Sequence, residues 1–276
     1  MIVDTKSNII CSIAEPGSDL TGILYNEIIH EMNLNAIYLP TSCKQVDIGI
    51  EGAKVFGFSG VSVSMPYKQE VMKCIDLIDK KAQDIGAVNT VVNQEGSLVG
   101  YNTDWYGAVE ALKEQVEIAT KKVIVFGAGG AARAIIYGLT DCGCEVFIHN
   151  RSQDKGECLA REFNSTYLTR KMLEDEKKYD ILINSTSIGF MGNNENEDFI
   201  PRCLLHEGQI VLDIVFSPIK TKLIKDALSR KCIVIPGYKM LIYQALLQFK
   251  LWLASEVSDY SKIERALINF IEKKGL

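Results

Sequence analysis

Several features that mark other protein classes are missing from this chain. No apolar stretch approaches the length needed to cross a membrane, and the first residues lack the basic-then-apolar pattern of a secretory signal. The net charge of −5 leaves no basic excess with which to bind nucleic acid. The chain has no internal repeats and no low-complexity segment. These absences predict a cytoplasmic protein whose partner is neither a nucleic acid nor a membrane.

Cysteine and histidine also form no recognisable pattern. The chain has eight cysteines but no C-x-x-C pair, and its three histidines are too few to complete a zinc site. The cysteines are scattered at positions 11, 43, 74, 142, 144, 158, 203 and 232. In a chain of 276 residues we therefore expect reduced and mostly buried thiols, without a disulfide framework and without a metal.

What the chain does contain is a regular alternation of strand and helix patterns. With 276 residues it is long enough for two domains, each with its own core. From residue 121 onward, helical patterns such as 130–140 and 220–230 separate strand patterns at 121–126, 145–150, 165–168, 179–184, 209–216 and 232–235. This order predicts an α/β fold with a doubly wound parallel sheet of the Rossmann type.

The first part of the chain alternates in a similar way. Strands are predicted at 8–13, 35–39 and 61–64, a helix at 20–32, and a hairpin in which strands 87–93 and 98–101 flank a turn at 94–97. From about residue 240 the pattern is helical, in two segments that we expect to pack back on the first domain. The predicted domains are 1–104 plus about 241–276, and about 105–240.

A glycine-rich turn follows the strand predicted at 121–126. Gly127, Gly129 and Ala132 form a G-x-G-x-x-A pattern between that strand and the next helix. The first glycine permits a tight turn, the second lets the backbone approach a phosphate, and the alanine lets the helix pack closely on the strand. Free amide groups and the helix dipole then face the anion. We predict that this turn binds a dinucleotide pyrophosphate through Gly127, Ala128, Gly129, Gly130 and Ala131.

The end of the second strand of this domain indicates which dinucleotide is bound. NAD-binding domains place an acidic residue there to bind the ribose 2′-hydroxyl, and such an acid would repel a 2′-phosphate. This chain instead has Asn150, Arg151 and Ser152, with Lys155 one turn further on. Arginine, serine and lysine offer charge and hydrogen bonds to a phosphate, so the pattern favours NADP over NAD. The alternative is that Arg151 and Lys155 are simply the solvated start of a helix.

Three short polar segments interrupt the apolar strands of the first domain. They cover residues 62–68, 86–90 and 100–104, and each places hydrogen-bonding side chains at a strand end, where an open α/β sheet presents its ligand site. Hydride transfer to a ketone needs a proton donor for the developing alkoxide and groups that hold the neighbouring hydroxyls. A lysine with a carboxylate partner can perform the first task, and Asn, Thr or Gln can perform the second.

These segments and several later ones resemble the shikimate dehydrogenase family over nearly the whole chain. Seven motifs stand in the family's order, namely Val61–Lys68, Gly86–Thr90, Asn102–Asp104, Asn150–Ser152, Asn184–Gly189, Asp213–Pro218 and Gly237–Leu241, with Gln244 after the last. The resemblance implies an NADP-dependent oxidoreductase that interconverts 3-dehydroshikimate and shikimate in aromatic amino acid biosynthesis. We expect it to act on this small molecule as a monomer or a homodimer.

The resemblance also implies roles for individual residues. Lys68 and Asp104 would be the catalytic pair at the reacting carbonyl, with the lysine as proton donor or alkoxide stabiliser and the aspartate orienting it. Their alternative is a surface ion pair or two unrelated solvated charges. The implied substrate-binding residues are Ser64, Asn89 and Gln244, and the residues implied along the nicotinamide are Asn184, Thr186 and Gly237.

The N-terminal substrate anchor departs from the family pattern. The family usually holds the substrate carboxylate with an S-x-S-P segment, whose serines fall here on Asp19 and Thr21 or, with a shift of one residue, on Ser18 and Thr21. We expect Ser18 and Thr21 to serve as the hydroxyl pair. The family's tyrosine in V-Y-x-P is replaced by Phe216.

Three functions therefore stay open at this point. The first is a shikimate dehydrogenase in which Asp19 points away from the substrate. The second is a dehydrogenase of a related ring acid such as quinate or aminoshikimate, because an aspartate facing a desolvated carboxylate would cost roughly several kcal/mol. The third is a regulatory protein that has kept the cofactor fold and lost catalysis.

Overall fold

The computed structural model describes residues 4–15, 19–175, 179–190 and 199–253, together with 261, 264–265, 268–270 and 273. The chain divides into two compact units. Unit 1 comprises Met1–Thr103 and Gln244–Gly275, and unit 2 comprises Asp104–Tyr243. The expected anchor Ser18 lies outside the described residues, as does most of the second helical segment expected at the C-terminus.

Unit 1 is built on a six-stranded mixed sheet with the strand order β2-β1-β3-β5-β6-β4. Its elements are β1 (Asn8–Ile13), α1 (Asp19–Glu31), β2 (Ala36–Leu39), α2 (Val46–Val55), β3 (Gly60–Val63), β4 (Leu77–Ile78), α3 (Lys80–Ile85), β5 (Thr90–Gln94) and β6 (Ser97–Tyr101). Strands β1, β2 and β3 are parallel, whereas β5 is antiparallel to both β3 and β6. A short 3-10 helix spans Glu70–Lys73.

The hairpin expected in unit 1 is confirmed, and its turn has a simple explanation. Glu95 and Gly96 link β5 to β6, and both have positive φ angles, of 53° and 91°. Two such residues in sequence suit the right-handed twist of the strands. Helix α2 was not anticipated, because its sequence contains two glycines and several β-branched residues that disfavour helix formation.

Unit 2 is built on a six-stranded, entirely parallel sheet with the order β12-β11-β10-β7-β8-β9. Its elements are α4 (Asp104–Lys113), β7 (Lys122–Phe126), α5 (Gly130–Asp141), β8 (Glu145–His149), α6 (Gln153–Glu162), β9 (Thr166–Tyr167), α7 (Arg170–Asp175), β10 (Ile181–Asn184), β11 (Ile210–Asp213), α8 (Lys222–Ser229) and β12 (Ile233–Pro236). Helix α9 (Gly237–Leu253) begins in unit 2 and ends in unit 1. Counted from β7, the strand order is the 3-2-1-4-5-6 order of the dinucleotide-binding fold.

The central strand β7 shows why this sheet is covered on both faces. Val123 and Val125 pack into one hydrophobic cluster, while Ile124 and Phe126 pack into another. All four are fully buried. Alternate residues of a strand point to opposite faces, so a run of four apolar residues requires helices on both sides, as in a doubly wound sheet.

Two expectations about strand length and burial were wrong. The strand expected at 209–216 ends at Asp213, because the Asp213 carboxylate accepts a hydrogen bond from the Val215 N–H at 3.1 Å and turns the chain. The thiols are all free, but only Cys11 and Cys232 are buried.

Neither a membrane helix nor a metal cluster is found in the parts of the chain that the structure describes. None of the described helices is both long and apolar enough to span a bilayer. The described residues also contain no group of three or more His, Cys, Asp or Glu side chains placed to hold a metal ion.

Candidate active site

The turn between β7 and α5 has no room for a side chain at its first glycine. Gly127 has a φ of +121°, and its N–H donates to the carbonyl of His149 at 2.9 Å. A Cβ atom at this position would lie 2.5 Å from Oγ of Ser185. Both the backbone conformation and this neighbour therefore require glycine.

The second glycine of the turn faces open space instead. Gly129 caps α5 with a φ of −89°, and a Cβ added there would meet no described atom within 4 Å. Because α5 begins at Gly130, its first N–H groups have no partner within the helix, and the positive end of the helix dipole lies there. Ala128 and Ala131 are small and only half-buried. The turn fits the pyrophosphate of a dinucleotide, which would occupy this open space.

The residues after β8 fit a phosphate on the adenosine ribose. Asn150 is held by a hydrogen bond from its Nδ2 to the carbonyl of Ser152 at 2.9 Å. Ser152 caps α6, yet its hydroxyl makes no capping hydrogen bond. Arg151 and Lys155 are exposed, and neither forms an ion pair with any residue that the structure describes. Two such cations next to an uncommitted hydroxyl suit the 2′-phosphate of NADP better than the 2′-hydroxyl of NAD.

The turn that follows β10 is held by its own side chains. Asn184 is buried, and its Oδ1 accepts from the N–H and the hydroxyl of Thr186 at 3.1 and 2.7 Å. Its Nδ2 donates to the carbonyl of Ile188 at 3.0 Å, and the Ile188 N–H donates back to the Thr186 hydroxyl at 3.1 Å. The polar side-chain atoms of Asn184 and Thr186 are therefore already engaged in shaping the turn.

A buried carboxyl group, to which the sequence assigned no role, holds Asn184 from the neighbouring strand. Asp213 accepts hydrogen bonds on Oδ1 from Asn184 Nδ2 at 2.9 Å and on Oδ2 from the Thr221 hydroxyl at 2.5 Å. Burial raises the pKa of Asp213 to about 6, although its hydrogen bonds act in the opposite direction. The network joins the ends of β10 and β11 to Thr221, the N-cap of α8. An acidic residue within an apolar strand pattern was the available signal for this site.

Gly237, expected beside the nicotinamide, has a packing reason to be glycine. It is the first residue of α9, and a Cβ there would lie 2.6–2.7 Å from main-chain atoms of Asp213 and Ile214. Gly127, Asn184 and Gly237 thus all stand where parallel strands of unit 2 end. The carboxyl edge of such a sheet is where α/β folds bind their cofactors.

In unit 1, three of the expected site residues follow the parallel strands β1 and β3. Thr21 is half-buried on α1, whereas Ser64 is exposed and its N–H donates to the carbonyl of Ile13 at 2.9 Å. Lys68 is half-buried, and its carbonyl accepts from the N–H of Val88 at 2.7 Å. These residues lie at the same edge of the sheet, because β1 and β3 are parallel and their last residues, Ile13 and Val63, are paired.

The structure joins two expected substrate residues directly. Asn89 is 2% exposed, and its Nδ2 donates to Oε1 of the half-buried Gln244 at 3.3 Å. The same Nδ2 donates to the Thr103 hydroxyl at 2.9 Å, while the Thr103 N–H donates to Asn89 Oδ1 at 2.8 Å. Asn89 therefore fixes the residue immediately before Asp104.

Asp104 itself belongs to unit 2, where it is the first residue of α4. It is 1% exposed, so this carboxylate is buried at a helix N-terminus, where the helix dipole stabilises a negative charge. Lys68 lies in unit 1.

Sequence reasoning missed a buried glutamine beside Asn89. Gln248 is 2% exposed, and its Nε2 donates to the Thr90 hydroxyl at 2.9 Å and to the Asn89 carbonyl at 3.3 Å. It lies one helical turn after Gln244. The recurrence of glutamine at positions i and i+4 of a mostly apolar helix was the signal that could have found it.

Two family models match this chain. The model of the shikimate dehydrogenase substrate binding domain matches residues 18–91, and that of the shikimate/quinate 5-dehydrogenase domain matches residues 110–216. The first match lies in unit 1 and the second in unit 2.

Curated and solved relatives cover nearly the full length. The shikimate dehydrogenase (NADP(+)) of Pyrococcus abyssi is 39% identical over 87% of this chain and 90% of its own. A crystal structure of a shikimate dehydrogenase in complex with NADP+ has a TM-score of 0.89 at 34% identity and covers 98% of each chain. The ligand-free 5-ketofructose reductase of Gluconobacter sp. strain CHM43 has a TM-score of 0.83 at 31% identity, over 97% of this chain and 100% of its own. Because the family models and these relatives agree with the motifs and with the fold, this chain belongs to the shikimate dehydrogenase family.

Proposed function

We propose that this protein is an NADP-dependent dehydrogenase that interconverts shikimate and 3-dehydroshikimate, a step in aromatic amino acid biosynthesis. The observation that carries this proposal is the hydrogen bond of 3.3 Å between Asn89 and Gln244. It joins the two residues that the family resemblance assigns to the substrate hydroxyls. Unit 1 would then bind the substrate and unit 2 would bind NADP. Membership of the family supports the same activity.

On this proposal Lys68 and Asp104 form the catalytic pair. In the direction of reduction, NADPH, when bound, supplies the hydride that converts the ketone to an alkoxide. The ammonium group of Lys68 stabilises the new negative charge and donates the proton that completes the alcohol. Asp104 orients the lysine and accepts a hydrogen bond from a neighbouring substrate hydroxyl. Ser64, Thr21 and Gln244 are proposed to hold the remainder of the ring.

The proposed cofactor contacts follow from the geometry of unit 2. The backbone of Gly127–Ala131 would bind the pyrophosphate. Asn150, Arg151, Ser152 and Lys155 would bind the adenosine ribose and its 2′-phosphate. The turn at 184–189 and Gly237 would border the nicotinamide.

The test of this proposal is the oxidation of shikimate by the purified protein, followed through the absorbance of NADPH. We expect turnover with shikimate and NADP+, and a higher kcat/KM for NADP+ than for NAD+. The absence of turnover with shikimate would contradict the proposed substrate, and a lower KM for NAD+ would contradict the proposed cofactor.

A second candidate function, the oxidation of a related ring acid, is favoured by two substitutions at the expected anchor. In the alignment that places the family's first serine at Asp19, that residue begins α1 in its place, and Phe216 replaces a tyrosine. Each change removes a hydroxyl that could bind the substrate carboxylate. A panel of shikimate, quinate and aminoshikimate separates the candidates by the order of their kcat/KM values. Tight NADP binding without turnover of any of them would instead support a non-catalytic regulatory protein.

We also propose that the protein acts in the cytoplasm as a monomer or a homodimer. Its eight free cysteines are consistent with a reducing compartment. Light scattering of the purified protein distinguishes the two assembly states, and cell fractionation with an activity assay tests the location.

A further inference from the structure

Helix α9 contacts Asn89 and the start of strand β5 of unit 1 through a row of hydrogen-bonding side chains, one from each successive turn. Gln244 accepts from Asn89, Gln248 donates to Thr90, and Trp252 Nε1 donates to the carbonyl of Val91 at 2.9 Å. Residues four apart lie on one face of a helix. The row therefore sets the position of α9 along β5.

The orientation of the Gln248 amide follows from its partners. The backbone carbonyl of Asn89 can only accept a hydrogen bond, so the group 3.3 Å from it must be Nε2 rather than Oε1. Oε1 then accepts from the hydroxyl of Tyr25, a fully buried residue of α1. Because all three groups are buried, an exchanged amide would leave two acceptors facing each other, which is unfavourable.

The hydroxyl of Thr90 links the Gln248 amide to the Asn89 amide. It accepts from Gln248 Nε2 at 2.9 Å and donates to Asn89 Oδ1 at 2.7 Å. The backbone N–H of Thr103 also donates to Asn89 Oδ1, which confirms that this atom is the amide oxygen. Asn89 Nδ2 must therefore donate, and it does so to Gln244 Oε1.

The result is a hydrogen-bond chain that runs from Tyr25 through Gln248, Thr90 and Asn89 to Gln244. Each group in the chain accepts from the group before it and donates to the group after it. At its end, Oε1 of Gln244 is occupied, whereas Nε2 of Gln244 has no hydrogen-bond partner among the described residues. We propose that Gln248 is a positioning residue that, together with the Thr103 N–H, fixes the orientation of the amides in this chain, so that Gln244 offers N–H donors, and not an acceptor, to the substrate.

The proposal rests on the proposed function, and it assigns a substrate class to this subsite. The group that binds at Gln244 must be a hydrogen-bond acceptor, such as a hydroxyl or carbonyl oxygen. An ammonium group has three donors and no acceptor, so it would not bind at this subsite. Gln248 acts through Thr90 and Asn89 and does not itself touch the substrate.

The test compares two variants of α9 that each lose a buried hydrogen bond to β5. Gln248→Leu removes the hydrogen bonds to Thr90 and to the Asn89 carbonyl. Trp252→Phe removes the hydrogen bond to the Val91 carbonyl, two helical turns from Gln244. We expect both to lower the unfolding free energy. Only Gln248→Leu should raise the KM for shikimate, by about tenfold, the equivalent of about 1.4 kcal/mol, with a smaller change in kcat and none in the KM for NADP+. An equal rise in both variants, or no rise in Gln248→Leu, would overturn the proposal.

A second variant of similar shape tests whether the effect passes through Thr90. Thr90→Val keeps the side-chain volume but can neither accept from Gln248 nor donate to Asn89. If the bonds form one chain, the double variant Thr90→Val/Gln248→Leu should raise the shikimate KM no further than the more damaging single variant. If the rise in the shikimate KM of the double variant equals the product of the two single rises, the residues act independently and the single chain is refuted.

Hydrogen exchange at the Asn89 side-chain amide keeps this test separate from the proposed function, because it needs no substrate. The resonance is assigned in ¹⁵N NMR spectra by its disappearance in Asn89→Asp. We expect protected amide protons in the wild type and in Trp252→Phe, and faster exchange in Gln248→Leu. If shikimate proves not to be the substrate, this result still supports the positioning role, whereas unchanged exchange in Gln248→Leu refutes it.

Discussion

Asn89 donates a hydrogen bond from its side-chain amide to Gln244, a residue 155 positions later in the chain. Asn89 lies just before β5 and Gln244 lies on α9, so the contact requires that α9, which begins in unit 2, return to unit 1. Both residues were expected at the substrate on the basis of family resemblance. The hydrogen bond shows that the two side chains lie next to each other. The proposed reaction itself is tested at Lys68 and Asp104.

Replacing Lys68 by Ala should lower kcat for shikimate oxidation by about two to four orders of magnitude, the usual contribution of a general acid or base. The KM for NADP+ should change little, because Lys68 belongs to unit 1 and the cofactor turn to unit 2. Lys73→Ala is the matched control, since Lys73 is exposed on the short 3-10 helix of the same segment. Turnover that survives Lys68→Ala would remove the lysine from the mechanism.

Replacing Arg151 by Ala should raise the KM for NADP+ by about tenfold or more, because a charged hydrogen bond contributes about 1.5–3 kcal/mol. The KM for NAD+, which lacks the 2′-phosphate, should be unchanged. Lys155→Ala should act in the same direction. Arg161→Ala, an exposed arginine at the other end of α6, serves as the control. A parallel loss for both cofactors would show that Arg151 binds something other than the 2′-phosphate.

The two glycines of the dinucleotide turn should respond differently to alanine. Gly129→Ala should fold with a stability within about 1 kcal/mol of the wild type, since its φ is ordinary and its surroundings are open. Its dissociation constant for NADP+ should nevertheless rise, because the added methyl group occupies the proposed phosphate space. Gly127→Ala should instead unfold more easily, by about 1–3 kcal/mol, owing to its positive φ. Chemical denaturation and fluorescence titration with NADPH separate these effects, and equal NADPH affinity in Gly129→Ala would contradict the site.

Asp213 should make stability depend on pH in a specific window. Its pKa in the folded protein is about 6, above the ordinary value of 3.8, so the folded state binds the proton more tightly than the unfolded state does. The stability that this group contributes is therefore complete below about pH 4 and is lost as the pH rises through about 6. The difference amounts to about 3 kcal/mol.

Asp213→Asn removes this titration while keeping the side-chain volume. We expect the stability of the wild type relative to the variant to fall between pH 4 and pH 7, as measured by urea unfolding at several pH values. A constant difference across that range would show that Asp213 does not titrate there.

Much of the fold could be predicted from the sequence because its signals are local. The apolar run that became β7 and the glycines after it specify a strand and a tight turn within a few residues. The hairpin at Glu95 and Gly96 is equally local. By contrast, the strand expected at 209–216 ended early at Asp213, because side-chain hydrogen bonds turned the chain there.

In the candidate site, too, some features depend on local sequence and others on tertiary contacts. The sequence by itself predicted the order of the strands in unit 2, the glycine turn after β7 and the basic residues Arg151 and Lys155 after β8, since each depends on neighbours close along the chain. Only the tertiary structure decided that Gln248 orients Asn89 and that Asp213 holds Asn184. Those relationships join groups far apart in sequence, and their strength comes from burial, which makes an unpaired polar group costly and so imposes one arrangement of donors and acceptors.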